Sequence, residues 1–293
     1  MTNSAHLPPV IDGLSRIAAD YDGLICDIWG VMHDGRTPNP PAIAALQKFR
    51  GRRGPVLLLS NAPRVAGHVV AQFGQVGVPR DCYDAILTSG EATRLELAAR
   101  AAQRPPMPIF HLGPERDANI YQGLPVECVS KAQLASARLV LCTGLFDDTR
   151  ETPADYDEML DACGGLEMLC ANPDITVRRG HEVVYCAGAL AQAYEKKGGK
   201  VKYFGKPYPP VFEAALARLA QCGSTGRVLV IGDGPSTDIL GANRMALDSL
   251  FIAGGLHAAK TGDLADATVR AGIAELFAEA GARANAMMTE LAW

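Results

Sequence analysis

The chain has 293 residues, of which 48% are hydrophobic and 20% are charged, and its formal net charge is −4 at pH 7. A single hydrophobic core usually stops growing near roughly 250–300 residues, so this length predicts about two domains, each with an ordinary core. The acidic balance and the lack of a Lys/Arg cluster argue against nucleic acid as a partner.

The sequence also limits where the protein works. No stretch approaches the ~18 consecutive apolar residues of a membrane span. The segment Met1–Pro9 lacks the basic start and apolar run of a signal peptide. The eight cysteines form no CxxC pair, and several lie in apolar runs, where thiols behave as small hydrophobes. We therefore expect a soluble, cytoplasmic protein without a membrane partner.

Short apolar runs alternate with amphipathic helical stretches, which is the pattern of a parallel α/β sheet. Gly23–Cys26 is predicted to be a buried strand, followed by a helix over Pro41–Arg50 with proline at its start. Pro55–Leu59 and Arg227–Ile231 are predicted to be two further core strands. A polar residue follows each strand at its carboxyl end, where open α/β sheets bind their ligands.

A second set of elements is predicted between Ser89 and Lys200. Its strands are Ile109–Leu112, Leu139–Cys142 and Met168–Cys170, and its helices are Glu91–Arg104, Ala154–Cys163 and Leu190–Lys197. We interpret residues 89–200 as an inserted α/β domain that covers the strand ends and moves relative to them. Residues 1–88 and 201–293 then form a Rossmann-like core, so the fold class is α/β with a parallel-sheet core.

Polar residues near these strand ends are candidates for catalysis and metal binding. Asp27, Asp233 and Asp238 could together hold Mg²⁺, because carboxylates from different strands can share one ion. Lys206 would neutralise both the carboxylates and a phosphoryl group. Ser60 could bind a phosphoryl oxygen through its hydroxyl and the adjacent N–H groups. Each residue alone is more often a turn or helix cap, so the prediction depends on their order and shared placement.

Four motifs occur in order along the chain: Asp27-Ile28-Trp29-Gly30-Val31, Leu59-Ser60-Asn61, Gly205-Lys206-Pro207 and Gly232-Asp233-Gly234-Pro235-Ser236-Thr237-Asp238. Together they resemble the haloacid dehalogenase superfamily. The long insert after Ser60-Asn61 resembles the class II cap domain (subclass IIA) of its sugar-phosphate, nucleotide and 4-nitrophenyl phosphatases.

The resemblance implies Mg²⁺-dependent hydrolysis of a phosphate monoester of a small metabolite, such as a sugar phosphate or a nucleotide. Asp27 would be the nucleophile that forms an aspartyl-phosphate, which divides one difficult displacement into two easier ones. Ser60 would hold the phosphoryl group while Asn61 shapes the turn. Lys206 would stabilise the charge of Asp27 and of the transferring phosphoryl group.

The resemblance also implies a ligand set for Mg²⁺. Asp27 and Asp233 would bind the ion with the backbone carbonyl of residue 29, and Asp238 would hold it directly or through water. From the insert, Asn172 and Asp174 could contact the substrate. The alternative for these two residues is an Asn-Pro-Asp turn that closes a strand.

Residue 29 is where the chain departs from the family pattern. The phosphatases of this superfamily carry a second aspartate at this position, which protonates the leaving oxygen and then activates water. Trp29 has an N–H donor but no proton that titrates near neutral pH. Binding of metal and phosphate should persist, while acid–base catalysis, typically worth about 10²–10⁴-fold, should suffer. His33 and Asp34 are possible replacement proton carriers, or simply members of the loop.

Three functions are therefore compared. A phosphatase, slow or specialised, is favoured by the retention of Asp27, Lys206, Asp233 and Asp238. A regulatory protein that binds a phosphorylated ligand without hydrolysis is the alternative, and Trp29 favours it. Dehalogenation of a small acid fits poorly, because such enzymes do not need the predicted Mg²⁺ site.

Overall fold

A computed structural model of the chain describes residues 7–179, 182–255 and 264–293. The chain divides into two compact units. The first comprises Met1–Ser60, Gly67–Leu87 and Lys206–Trp293, and the second comprises Asn61–Ala66 and Thr88–Gly205. The second unit is therefore an insertion into the sequence of the first.

The described residues form thirteen strands and eight α-helices. The strands are β1 Gly23–Asp27, β2 Val56–Ser60, β3 Ala85–Thr88, β4 Met107–Leu112, β5 Val126–Cys128, β6 Leu139–Cys142, β7 Glu167–Cys170, β8 Thr176–Arg179, β9 Glu182–Tyr185, β10 Lys200–Tyr203, β11 Val228–Gly232, β12 Asp248–Ile252 and β13 Ala286–Met288. The helices are α1 Pro40–Arg52, α2 Ala66–Val76, α3 Ser89–Ala101, α4 Asp157–Ala162, α5 Ala187–Lys196, α6 Pro209–Gln221, α7 Leu240–Arg244 and α8 Ala267–Ala280.

The first unit is built on a six-stranded sheet with the order β13-β12-β11-β1-β2-β3. Its central strands β1, β2 and β11 are buried along their whole length, as expected for parallel strands covered on both faces. The three predicted core strands are thus confirmed to within one residue at each end. Strand order reverses at β1, because β2 and β3 lie on one side of it and β11 to β13 on the other.

Local side chains define where several helices begin and end. The Asn39 side chain accepts a hydrogen bond from the N–H of Ala42 at the start of α1, which also has proline at its first position. Asp266 caps α8 in the same way, and Gly281 ends that helix in the left-handed conformation, at φ 61°. The predicted first helix is therefore confirmed. No helix within the described ranges is long and apolar enough to cross a membrane.

The second unit has its own five-stranded sheet, ordered β10-β7-β6-β4-β5, with parallel pairs throughout. The strands predicted in this region are confirmed. The helix predicted at Ala154–Cys163 begins instead as a 3₁₀ turn over Pro153–Tyr156 and continues as α4. The antiparallel hairpin of β8 and β9 was not predicted, because its strands are short and carry no buried apolar run.

Residues 201–205 and Asn61–Ala66 fall in the second unit, which corrects the domain boundary, since both segments were expected in the core. Their hydrogen bonds run to the second unit: the N–H of Gly90 donates to the carbonyl of Ala62 at 3.1 Å. Arg64 forms an ion pair with buried Asp117 at 2.9 Å. Because these partners lie far away in sequence, the boundary could not be read from local pattern.

Candidate active site

The carboxyl ends of three neighbouring strands bring predicted site residues to one edge of the core sheet. Asp27 ends β1, Ser60 ends β2 and Asp233 directly follows β11. The register of β1 and β11 pairs Cys26 with Ile231, so both strands end at the same level. This edge, next to the point where strand order reverses, is where open α/β sheets bind ligands.

Lys206 connects two of the predicted carboxylates. Its Nζ lies 2.6 Å from Asp27 Oδ1 and 2.7 Å from Asp238 Oδ1, and the lysine side chain is only 4% exposed. Lys206 stands just before α6, about 180 positions after Asp27 in the sequence. The fold therefore brings the lysine of the third motif between the acids of the first and fourth motifs.

Asp238 is held in place by the segment that follows β11. This segment, Pro235–Ile239, forms a single π-helical turn, a feature often found at functional sites. Asp238 Oδ2 accepts hydrogen bonds from the N–H of Gly234 and from Oγ1 of Thr237, both at 3.2 Å. With Oδ1 bonded to Lys206, both carboxylate oxygens of Asp238 have protein donors.

Asp27, Asp233 and Asp238 form a buried carboxylate cluster whose ligand atoms lie within 4.8 Å of one another. Three carboxylates against the one ammonium of Lys206 leave two negative charges if all four groups are ionised. Buried charge without a counter-charge is strongly unfavourable. A divalent cation with a preference for oxygen ligands, such as Mg²⁺, would balance this cluster.

The carboxylate of Asp233 is enclosed by glycine backbone on two sides. A Cβ built on Gly30 would lie 1.9 Å from Asp233 Oδ2, and one built on Gly255 would lie 2.0 Å from the same atom. Gly30 also has a φ of +79°, which L side chains rarely adopt. Both positions therefore require glycine for Asp233 to occupy this place.

The pKa shifts of Asp27 and Lys206 agree with an excess of negative charge in the buried cluster. Burial raises the pKa of the Asp27 carboxyl well above its ordinary value, and the negative charge of Asp238 adds to the effect against the opposing charge of Lys206. Burial alone would lower the pKa of Lys206, but the carboxylates of Asp238 and Asp27 outweigh it and the net pKa is raised. The pKa of both groups is therefore raised, which favours the charged form of Lys206 and disfavours the charged form of Asp27.

Trp29 lies on the loop after β1, with its side chain held by that loop. Its ring meets the imidazole of His33 edge to face, with centroids 4.9 Å apart, and His33 in turn contacts Phe73 at 5.8 Å. A Cβ on Gly35 would lie 2.5 Å from the indole, so the ring packs directly over that glycine. Even so, Trp29 is 39% exposed.

The two residues considered as replacement proton carriers have other partners. His33 is buried, which lowers its pKa, and its Nδ1 accepts a hydrogen bond from the N–H of Gly35 at 2.9 Å. Asp34 is exposed and accepts hydrogen bonds from the N–H groups of Arg36 and Thr37, which lower its pKa. A neutral buried imidazole and an ionised turn carboxylate both match a structural role in the loop.

The remaining predicted residues, Asn61, Asn172 and Asp174, belong to the second unit. The N–H of Asp174 donates to Asn172 Oδ1 at 3.0 Å, so these residues form the Asn-Pro-Asp turn that the sequence analysis gave as an alternative. Asn61 Nδ2 donates to Asp174 Oδ1 at 2.9 Å, a contact that the sequence did not indicate. Their role in binding substrate stays a prediction.

Comparison with known proteins identifies the family. The model for haloacid dehalogenase-like hydrolases matches residues 24–126, and a HAD-hydrolase-like model matches residues 203–280. A haloacid dehalogenase-like hydrolase of Brucella suis, known from its crystal structure, is 42% identical, with a TM-score of 0.78 over 96% of this chain and 100% of that one. The chain belongs to the haloacid dehalogenase-like hydrolases. The resemblance drawn from the four motifs is confirmed.

Two further relatives of this haloacid dehalogenase-like hydrolase have named activities. A glycerol phosphate phosphatase of Mycobacterium tuberculosis, solved in complex with magnesium, is 26% identical over 86% of this chain and 74% of that chain, with a TM-score of 0.66. The ribonucleotide monophosphatase NagD of Escherichia coli is 26% identical over 240 residues, which are 80% of this chain and 88% of NagD.

The sequence analysis missed the residues that shape the site without reacting. Gly30, Gly255 and Thr237 hold Asp233 and Asp238 in position, and none of them was singled out. Gly30 and Thr237 lie inside motifs that were recognised, so their proximity to the acids could have been inferred. Gly255 gave no such signal, because it lies more than twenty positions after Asp233.

Proposed function

We propose that this protein hydrolyses phosphate monoesters of small metabolites, with Asp27 as the nucleophile and Mg²⁺ as the cofactor. The observation that carries the proposal is the buried cluster in which Lys206 joins Asp27 and Asp238 beside Asp233. A protein that only bound a phosphorylated ligand would gain nothing from a nucleophile carboxylate facing that anion. The phosphatase activities named for two relatives support the same reaction class.

The donor set of the cluster suits Mg²⁺. Asp27 and Asp233 would hold the ion together with the backbone carbonyl of Trp29. Asp238 would reach it through water, because both of its oxygens already accept hydrogen bonds from protein groups. Bound there, the ion would offset the buried negative charge and polarise the phosphoryl oxygens.

In the first half-reaction, an oxygen of Asp27 attacks phosphorus and the bond from phosphorus to the ester oxygen breaks. The leaving alkoxide oxygen takes a proton from solvent water to become the alcohol, and an aspartyl-phosphate remains on Asp27. Lys206 stabilises the phosphoryl charge in the transition state, since its ammonium is buried and preorganised. Ser60, at the end of β2, holds the phosphoryl group through its hydroxyl and the neighbouring N–H groups.

In the second half-reaction, water attacks the phosphorus of the aspartyl-phosphate. The bond from phosphorus to Asp27 breaks, inorganic phosphate leaves and the carboxylate is regenerated. A family phosphatase uses an aspartate at position 29 to move a proton in both half-reactions. Trp29 cannot do so, and His33 Nδ1 and Asp34 Oδ1 are engaged in hydrogen bonds within the loop, which supports a structural role for these two residues. We therefore propose a slow or specialised phosphatase.

The second candidate is a non-hydrolysing binder of phosphorylated ligands, and Trp29 is the observation that favours it. This candidate keeps the Mg²⁺ site and the phosphate site but loses turnover. It differs from the first in one measurable respect, which is the release of inorganic phosphate.

The inserted unit is proposed to act as a cap domain that admits small molecules and excludes macromolecules, because a closing cap excludes water and supplies specificity. We also propose that the protein works in the cytoplasm. Six of the eight cysteines are buried, which suits a reducing compartment.

A phosphatase screen against phosphorylated metabolites, with and without Mg²⁺, tests the proposal. Glycerol phosphate, sugar phosphates and nucleoside monophosphates form the panel, and p-nitrophenyl phosphate serves as the activated ester. Activity should require Mg²⁺ and should be abolished in Asp27→Asn, while Asp155→Asn, a change at an exposed carboxylate of the second unit, serves as the matched control. Binding of a metabolite without release of phosphate would instead support the second candidate.

A further inference from the structure

The chain passes between the two units next to both proposed phosphoryl-binding residues. The chain crosses between the units four times; the first crossing lies between Ser60 and Asn61, and the last lies between Gly205 and Lys206. Ser60 and Lys206 are therefore each joined by one peptide bond to a residue of the second unit. The position of those two neighbours constrains the backbone at Ser60 and at Lys206.

The two neighbours contact each other within the second unit. Strands β7 and β10 are paired in parallel, and the N–H of Phe204 donates to the carbonyl of Cys170 at 3.0 Å, so the ends of these strands run side by side. A Cβ built on Gly205 would lie 2.3 Å from the Pro173 ring and 2.7 Å from Asn61 Oδ1. The residue before Lys206 and the residue after Ser60 thus share one packed cluster.

Asp174 fixes Asn61 in this cluster. Its Oδ1 accepts a hydrogen bond from Asn61 Nδ2 at 2.9 Å, and its own N–H is bound by Asn172. Asn61 and Asn172 are both buried. The backbone of Gly188 packs against the carbonyls of Pro173 and Asp174, which holds the turn from the other side. The backbone of Asp174 is therefore held from both sides of the turn, and its carboxylate binds Asn61.

We infer that Asp174 is a positioning residue, which sets the placement of Ser60 and Lys206 through Asn61 and Gly205. From the sequence, Asp174 is expected either to contact the substrate or to belong to an Asn-Pro-Asp turn. The inference rests on the proposed function in one respect, namely that Ser60 and Lys206 hold the phosphoryl group. As a consequence, a change at Asp174 should weaken the binding of the phosphoryl group, which all substrates share. It should therefore reduce the hydrolysis of all phosphate esters by a similar factor, whatever their alcohol group.

Three variants separate the two roles. Asp174→Ala removes the acceptor, Asp174→Asn keeps an acceptor oxygen without the charge, and Asp174→Glu keeps the charge but moves the oxygens. Asp155→Ala is the control, since Asp155 is an exposed carboxylate of the same unit that accepts hydrogen bonds from nearby Thr152. All proteins are compared by kcat/KM for p-nitrophenyl phosphate, glycerol 3-phosphate and AMP, and by calorimetric binding of inorganic phosphate with Mg²⁺ present.

For Asp174→Ala we expect kcat/KM to fall by about ten- to a hundred-fold, by the same factor for all three esters, because small displacements of positioned groups are costly. Phosphate binding should weaken as well. Asp174→Asn should restore most of both quantities, and Asp174→Glu should not. If Asp174→Ala does not fold, the comparison of Asp174→Asn with Asp174→Glu carries the test.

Three results would overturn the inference. These are a loss limited to one ester, an Asp174→Asn variant that is worse than Asp174→Glu, and an unchanged rate together with unchanged phosphate affinity. If the wild type hydrolyses none of the esters, the proposed function fails but the calorimetric comparison still stands. In that case weaker phosphate binding by Asp174→Ala, restored in Asp174→Asn, supports the positioning role, and equal affinities refute it.

Discussion

Replacing Trp29 with aspartate tests the central proposal about this site. The variant Trp29→Asp would supply the carboxylate that family phosphatases use to protonate the leaving oxygen and to activate water. We expect turnover of an alkyl ester such as glycerol 3-phosphate to rise by about ten-fold or more. The expected minimum lies below the roughly 10²–10⁴-fold that is typical of one acid–base group, because the new carboxylate is not tuned by its surroundings. A ten-fold rise corresponds to about 1.4 kcal/mol of activation free energy.

Trp29→Asp also removes packing contacts of the indole, and the exposed fraction of Trp29 sets the size of this loss. Trp29 is 39% exposed, so the substitution removes roughly 150 Å² of buried side-chain surface. At about 25 cal/mol per Å² the loss is at most about 4 kcal/mol, with the contacts to His33 and Gly35 included. Trp29→Asn loses the same packing without gaining a titratable group. The ratio of the turnover rates of Trp29→Asp and Trp29→Asn therefore measures the effect of proton transfer alone.

The assay is steady-state release of phosphate by wild type, Trp29→Asp and Trp29→Asn, each confirmed as folded by circular dichroism. The gain should be larger for glycerol 3-phosphate than for p-nitrophenyl phosphate, whose leaving group needs little protonation. If Trp29→Asp is no faster than Trp29→Asn on the alkyl ester, the acid–base reasoning is wrong. If Asp27→Asn leaves a measurable wild-type rate unchanged, the nucleophile is misassigned.

Three further predictions concern the metal site and stability. Asp233→Asn should weaken Mg²⁺ binding by at least about ten-fold in titration calorimetry, and an equal affinity would count against the site as described. Gly30→Ala should weaken it too, because the new Cβ would lie 1.9 Å from Asp233 Oδ2; an unchanged affinity would show that Asp233 can shift freely. Burial lowers the pKa of His111, which lies in β4, to about 4. The stability that comes from burying its neutral imidazole is therefore complete above about pH 6.5 and is lost as the pH falls towards 4. In urea unfolding, the wild type should therefore lose up to about 2 kcal/mol more stability than His111→Gln when the pH falls from 7 to 5. Equal losses in the two proteins would contradict the lowered pKa of His111.

The core strands and their polar ends could be predicted because they are local properties of the sequence. Runs such as Gly23–Cys26 are apolar throughout, and a strand buried on both faces needs that composition. The four motifs, in their order, were enough to identify the family, to place Asp27, Ser60 and Asp233 at strand ends, and to show the departure at Trp29.

What the tertiary structure decided is which distant groups become partners. Lys206 bridges Asp27 and Asp238 only because β11 pairs with β1, which brings the first and last motifs to one edge of the sheet. Asn61 bonds to Asp174, 113 positions away, so the segment after Ser60 belongs to the second unit and not to the core. Local pattern predicts an element because neighbouring residues determine its backbone and burial. The choice of hydrogen-bond and ion-pair partners depends on which chain segments the fold brings together, and that is determined by the packing of the whole chain.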